Sequence, residues 1–364
     1  MAKKEGLGEV SDQSRFEKVF SDSGSVDRFR NAVIAWFKEE GREYPWRNTT
    51  DPYAILVSEL MLQQTRIATV LERDYFGRWM RRFPDVHALA RAKEEEILKA
   101  WEGLGYYNRA RNLQKAAQKV VEKGKGDFPD SIEEMESLPG VGRYTAGAVF
   151  SFAYDRRAPI VDGNVIRVFA RLFGYEEAVD LPVAGKLMWK WADLLTPEAH
   201  VRAYNSGIME LGQRLCVRGT PECSACPVQE FCQAHSRGIT EQLPRKKGKV
   251  KVTLKQESVG LFIKNGEILL EEESGARRKG LWKLPVVTKS ESEDWEELFR
   301  LPYAITRYRV EMTVFRAPPN SREREGCTKW YPLSGGESLP PLGSPYRKAI
   351  LKYLDIRDDL MMNR

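Results

Sequence analysis

SLPGVGRYTAGAVFSFAY, residues 137–154, joins one helical stretch to the next through Gly140-Val141-Gly142. Two glycines within three residues permit a sharp turn. Backbone N–H groups in such a turn, at the start of an apolar helix, converge on a point where a phosphate would meet free donors and the positive end of the helix dipole. The same segment equally suits a plain helix–turn–helix packing corner. Taken alone, the hairpin leaves the two readings level.

Downstream, PIVDGNVIRVFARLF (159–173) sets Asp162 directly before a helical pattern. An aspartate there caps the helix. A carboxylate held by helix N–H groups also stays ionised, which suits stabilisation of a cationic transition state. Asn164 either positions Asp162 or substrate, or merely caps. Upstream, TTDPYAILVSELMLQQTR (49–66) starts a helix at Asp51-Pro52. Counted from Ile55, Glu59 falls at i+4 and Leu62 at i+7, so a carboxyl shares the apolar stripe. Burial without a cation raises a carboxyl pKa. A raised glutamate and a low-pKa aspartate form the acid-and-anion pair that breaks glycosidic bonds. A glutamate that reaches solvent or a backbone N–H is the bland alternative.

Helical patterns cover stretches near 26–40, 52–70, 94–101, 108–122, 131–138, 143–154, 164–173, 184–195 and 201–214. After LPRKKGKVKVTLK (243–255), six basic residues and no acid, the pattern changes to period two. ESVGLFIKNGEILLEEE (257–273) is a predicted hairpin with Asn265-Gly266 at its turn. LWKLPVV (281–287) and AITRYRVEMTVF (304–315) are predicted strands; EDWEELFR (293–300) and SPYRKAILKYL (344–354) are predicted helices. No fixed-period repeat is present.

At 364 residues the chain exceeds one usual core, so two or three domains are expected. With 42% hydrophobic and 30% charged residues it has the composition of a soluble globular protein. No run approaches the roughly 18 apolar residues of a membrane span. MAKKEGLGEVSDQSRFEK lacks the apolar centre of a signal peptide, so a cytoplasmic protein without membrane contact is expected. The net charge of +6 permits nucleic-acid binding without establishing it. Four of the five cysteines, Cys216, Cys223, Cys226 and Cys232, are spaced C-x6-C-x2-C-x5-C, and Cys327 stands apart. In a reducing compartment that cluster indicates a metal rather than disulfides, and four thiolates suit iron–sulfur or zinc.

SELMLQQT, WEGLGYYNRARNL (101–113), LPGVGRYTAG, VDGNV and the four-cysteine loop follow one another in an order that resembles the adenine DNA glycosylases of the MutY type. These belong to the helix–hairpin–helix glycosylase superfamily, and the likeness covers residues 26–235. It implies a mainly α helix–hairpin–helix glycosylase fold with an iron–sulfur cluster loop, plus a C-terminal α/β Nudix-like domain. The implied division is a flexible extension (1–25), the glycosylase domain (26–215), the cluster loop (216–235), a basic linker (236–255) and a lesion-recognition domain (256–364). The implied activity is base excision repair: release of adenine mispaired with 8-oxoguanine or guanine in duplex DNA, by a monomer associated with the bacterial nucleoid.

In that resemblance Glu59 protonates the departing adenine and Asp162 stabilises the oxocarbenium ion, with Tyr144 and Asn164 in support. Gln64 and Tyr106 match residues that wedge into the stack beside the lesion, and Gln63, Thr65, Leu104, Gly140, Gly142 and Arg143 match DNA contacts; Arg214, beside the first cysteine loop, and Arg218, within it, are placed to reach phosphates. The cysteines hold a [4Fe–4S] cluster. Endonuclease III, a related DNA lyase, carries a lysine after GVGR where this chain has Tyr144, so a monofunctional enzyme is implied. A lyase of that type, or a non-enzymatic iron–sulfur DNA-binding protein, is the rival reading. The segment after GLWKLPVV lacks the glutamate-rich helix of a working Nudix hydrolase. Where many relatives carry Phe-Ser-His, alignment on TVF sets Ile305-Thr306-Arg307, of which Thr306 and Arg307 keep hydrogen-bonding groups.

Overall fold

Asp51 starts a helix that is buried along almost its whole length. Its carboxylate accepts from the Tyr53 N–H at 3.0 Å, Pro52 occupies the first turn, and every residue from Tyr53 to Met61 is buried. A helix covered on all sides has no solvent stripe, so Glu59 lies within the core rather than at the edge of an amphipathic face. The structure is a computed structural model. It describes residues 14–248, 252–275, 278–305, 307–318, 327–333 and 338–362, the last helix without side chains beyond 357. The chain forms two units: Met1–Gln63 with Lys119–Lys249, and Gln64–Gln118 with Val250–Arg364.

From Ser25 onward the helices of five residues or more are, in chain order, α1 (Ser25–Glu40), α2 (Pro52–Leu62), α3 (Ile67–Glu72), α4 (Tyr75–Arg82), α5 (Val86–Arg91), α6 (Glu94–Ala100), α7 (Asn108–Gly124), α8 (Ile132–Glu136), α9 (Arg143–Tyr154), α10 (Gly163–Leu172), α11 (Pro182–Leu195), α12 (Val201–Arg214) and α13 (Ser344–Met362). In the first unit α2 packs on α9, and α12 packs on α1, α9 and α10. Phe29, Val33, Phe169, Met188, Trp191 and Leu211 lie at the centre of one core there. Residues counted in the sequence as a flexible extension join it: Val19 and Phe20 are buried, and Arg15 donates to the Gly174 carbonyl at 3.1 Å. The expectation of flexibility up to residue 25 is corrected for 14 onward.

The helix expected over 52–70 breaks after Leu62. Gln64 takes φ 56°, a left-handed conformation that ends an α-helix, and the chain restarts at Ile67. Between α8 and α9, Gly140 takes φ 78° and Gly142 precedes the helix without a side-chain cap.

Among its described residues the second unit holds two sheets. One is ordered β1 (Thr253–Leu261), β6 (Tyr308–Arg316), β5 (Glu296–Ile305), with β1 and β6 parallel and β5 and β6 antiparallel. The other joins β2 (Ile263–Lys264), β3 (Glu267–Glu272) and β4 (Trp282–Lys283), and β7 (Thr328–Pro332) pairs with β3. Val259, Leu270, Met312 and Val314 pack with Tyr346 and Ile350 of α13. Asn265 and Gly266, at φ 50° and 77°, make the turn their sequence demands. The expected 257–273 hairpin is shorter than predicted, because β1 leaves at Leu261 to pair with β6. Residues 296–300 form a strand, not the predicted helix: Phe299 pairs with Val314 and Leu301 with Met312. The strand predicted over 304–315 is a second hairpin in which Ile305 faces Tyr308. Among the described residues no helix is long and apolar enough to cross a membrane.

Candidate active site

Glu59, on α2, is 7% exposed. Burial pushes its carboxyl from 4.5 up to about 7; a hydrogen bond from Tyr144 acts against that rise, Asp162 adds to it, and the Arg47 charge opposes it. Tyr144 lies in the first turn of α9, and its hydroxyl also approaches the Met209 sulfur at 3.8 Å. Helices α2 and α9 therefore supply an acid and a phenol to one point, and the start of α10 supplies a second carboxylate.

That carboxylate is fixed by its own helix. Asp162 Oδ1 accepts from the Asn164 N–H at 2.9 Å and the Val165 N–H at 2.7 Å, while Oδ2 accepts from Asn164 Nδ2 at 2.7 Å. The capping role read from the sequence is thus present. The expectation of a low pKa is not met: burial raises the Asp162 carboxyl above its ordinary value, and the three donors only partly offset this. Desolvation of the carboxyl outweighs the local bonds, although the residue as a whole is half-buried. Asn164 in turn accepts from Arg167 at 2.9 Å, and Arg167 Nε donates to the Cys216 carbonyl at 2.7 Å.

The cysteine segment hangs on a second arginine of α10. Arg171, 2% exposed, donates to Cys216 Sγ at 3.2 Å and to the Val217 carbonyl at 2.8 Å. It also binds the Thr240 carbonyl at 2.8 Å. Cys216, Cys223, Cys226 and Cys232 are half-buried and unbridged; Cys327 is exposed. Burial pushes the Cys226 thiol up to about 12 and Cys232 up to about 11, and in both cases Cys216 and Cys223 add to the rise. Among the described residues no three His, Cys, Asp or Glu side chains are grouped for a single metal ion.

Arg47 and Glu210 were not singled out in the sequence. Glu210, on α12, is fully buried; it accepts from the Arg42 N–H at 2.9 Å, from Arg214 at 3.2 Å and from Arg47. Arg47 stacks over Phe37 and Tyr44 at 5.0 and 4.7 Å. The signal that exposed Glu59, an acid among apolar helix positions, is present at Glu210 too, between Ile208 and Leu211. Arg214, beside the cysteine loop, reaches Glu210 and Glu40, and its guanidinium lies 5.5 Å from the Trp36 ring centre.

Of the other expected residues, Arg143 is exposed and lies 4.0 Å over the Trp189 ring, and Arg218 is exposed. Gln63 reaches Thr145 Oγ1 at 3.5 Å. In the second unit Gln64 is exposed, Thr65 half-buried, Leu104 buried and Tyr106 49% exposed. Leu104–Asn108 line a cavity of about 580 Å³ together with Pro302–Ile305, Gly343–Pro345, Arg278 and Lys348. Arg307 donates to Tyr308 Oη at 3.1 Å and, with Lys255, lies over its ring. Thr306 lies outside the described residues.

A family model described as HhH-GPD superfamily base excision DNA repair protein matches residues 57–193. The chain is 42% identical over 234 residues to a Mus musculus protein named adenine DNA glycosylase, a match covering 62% of this chain and 45% of the mouse protein. It is 34% identical over 257 residues to the adenine DNA glycosylase of Buchnera aphidicola subsp. Baizongia pistaciae (strain Bp), covering 70% of this chain and 71% of that one. The mammalian relatives are thus matched over about half their length or less. Among solved structures, a thermostable thymine-DNA glycosylase superposes with a TM-score of 0.54 at 29% identity, over 59% of this chain and 100% of that one.

Proposed function

The chain belongs to the adenine DNA glycosylase family, with a helix–hairpin–helix glycosylase fold and a strand-containing C-terminal region, and from that premise we propose that it removes adenine mispaired with 8-oxoguanine or guanine in duplex DNA. The observation that carries the reading is the buried Glu59 carboxyl, raised to about 7 beside Tyr144 and Asp162. A carboxyl with that value is half protonated near neutral pH, the condition under which a general acid serves best.

In the proposed reaction the adenine is flipped out of the stack, which costs a few kcal/mol and less at a mispair. Glu59 gives its proton to adenine, at N7. The C1′–N9 bond then breaks, its electron pair leaving with the base, and the sugar becomes an oxocarbenium ion. Asp162, held by three N–H donors, stabilises that cation. Water adds at C1′ and loses a proton. Asn164 orients Asp162, and Tyr144 orients the Glu59 carboxyl. The segment 138–147 contains no lysine, so no amine is available there for a Schiff base, and a monofunctional glycosylase is the favoured reading over a lyase.

For the thiolates we propose a [4Fe–4S] cluster on Cys216, Cys223, Cys226 and Cys232. Four unbridged, half-buried sulfurs, three of which raise the pKa of the fourth, with Arg171 bonded to one of them, fit a group that takes up four thiolates. It would staple the 216–232 segment to α10 through Arg171 and the Arg167–Cys216 bond. Gly140, Gly142, Arg143 and Arg218 are the proposed phosphate contacts. Residues 256–364 are proposed as the Nudix-like lesion reader, acting with Leu104 and Tyr106. The cavity shared by Leu104–Asn108 and Pro302–Ile305 supports that division of work.

The test is single-turnover release of adenine from duplexes bearing A opposite 8-oxoguanine, G, C or T. Excision from the first two, without strand cleavage, is expected. Release of no adenine from any of them, or cleavage at a thymine lesion instead, would overturn the assignment.

A further inference from the structure

The loop that carries Tyr106 is built in an unfavourable conformation. Gly103 and Gly105 take φ 100° and 69°, and Tyr106 itself takes 48°, where an L side chain is disfavoured. Its ring stands 49% exposed. In the turn before α3, Gln64 is left-handed too, at φ 56°. A strained residue persists only where its surroundings over-determine it. One side chain touches both segments.

Arg109, in the first turn of α7, is 8% exposed. Its Nη1 and Nη2 both donate to Thr65 Oγ1, each at 3.3 Å. Nη2 also donates to the Leu104 and Gly105 carbonyls, each at 3.0 Å. The guanidinium lies 5.3 Å from the Trp101 ring centre and 5.6 Å from that of Tyr106. Trp101 adds a bond from Nε1 to the Gly105 carbonyl at 3.1 Å. The fork thus grips the hydroxyl next to Gln64 on one side and the two carbonyls before Tyr106 on the other. Burial lowers its pKa only to about 10, so the group keeps its charge at neutral pH.

We infer that Arg109 is the positioning residue that locks the turn at 64–66 and the loop at 103–107 into one rigid wedge, so that Gln64 and Tyr106 enter the DNA stack together. The inference rests on the proposed function. A planar fork with several donors suits this geometry, whereas a lysine point charge cannot bridge three acceptors at these angles.

The experiment compares wild type, Arg109→Lys and Thr65→Val on two duplexes. One carries A opposite G; the other carries A opposite an abasic analogue, where no base remains to be wedged aside. A 2-aminopurine beside the site reports unstacking. For Arg109→Lys, excision opposite G should fall about 10- to 100-fold, from the loss of charge-assisted bonds, with the unstacking signal; opposite the abasic analogue the loss should stay within about threefold. Thr65→Val, which keeps shape and removes the acceptor, should change both readouts in the same direction and by less. Should the lysine variant fail to fold, Thr65→Val carries the comparison. Equal losses on both duplexes, or an unstacking signal identical to wild type, would overturn the inference. If wild type itself releases no adenine from either duplex, the proposed function is at fault, and the unstacking signal alone decides the role of Arg109.

Discussion

Replacing Glu59 by glutamine should stabilise the protein above neutral pH while stopping catalysis. A carboxyl raised from 4.5 to about 7 holds its proton more tightly in the folded chain than in the unfolded one. Between those two values the folded state carries the extra proton, so stability falls as pH rises. The loss is absent below 4.5 and complete above about 7. At about 1.4 kcal/mol per pH unit this amounts to roughly 3 kcal/mol at pH 8. Glutamine keeps the shape, accepts from Tyr144 and never ionises, so Glu59→Gln escapes the penalty. For a domain of about 150–250 residues the melting temperature should then rise by roughly 6–12 °C at pH 8 and by little at pH 4.5. Thermal unfolding of both proteins from pH 4.5 to 8 measures the difference. The matching kinetic result is a wild-type single-turnover rate that declines as pH passes about 7, where the proton needed by adenine is lost. A melting difference that is the same at pH 5 and pH 8 would refute the reasoning, because a solvent-relaxed Glu59 has no such pH window.

Asp162→Asn should lower single-turnover adenine release by about 10²–10³ or more, since a neutral amide cannot offset the sugar cation. Its DNA affinity, read by titration at fixed salt, should stay near wild type, because phosphate contacts dominate binding. Cys216→Ser, Cys223→Ser, Cys226→Ser or Cys232→Ser should each reduce iron below about four per chain as measured by metal analysis, and Cys327→Ser should not. Stoichiometric zinc in wild-type protein made with ample iron would remove the cluster from the account. Removal of residues 256–364 should narrow the ratio of excision rates between 8-oxoguanine and guanine opposite adenine, and Arg307→Ala should narrow it less; an unchanged ratio after truncation would assign lesion reading to the helical part.

What could be read from the sequence was local, and what could not depended on distant partners. The cap at Asp162 is legible because its acceptors and donors lie within three residues. Glu59 is legible because a charge among Leu, Val and Met violates the helical pattern on sight. The Asp162 shift has the opposite sign to the one the sequence suggests, since local donors argue for a low value while burial, which the local sequence does not show, decides it. Arg47 and Glu210 meet across 163 positions, and no motif links them. EDWEELFR has helix formers at most positions, yet β6 pairs with its second half and makes it a strand.

The division between the two units runs through MLQQT itself. Gln63 ends α2: its N–H bonds to the Glu59 carbonyl at 3.2 Å, and its side chain reaches Thr145, the neighbour of Tyr144. Gln64 belongs to the second unit, and Thr65 is held there by Arg109. One peptide bond therefore separates Gln63, the cap of the helix that carries Glu59, from Gln64, a residue of the proposed wedge. On the proposed function, a wedge that is filled by DNA and one that is not differ at a residue covalently joined to α2, one helical turn from Glu59. A loosened wedge should then lower the excision step by more than it lowers affinity. Binding energy spent on displacing the partner base appears in the rate only where it also aligns the acid. Measured side by side on one duplex, rate and affinity losses of equal size for Arg109→Lys would mean that the wedge serves binding alone, and the shared backbone at Gln63–Gln64 would carry no catalytic consequence.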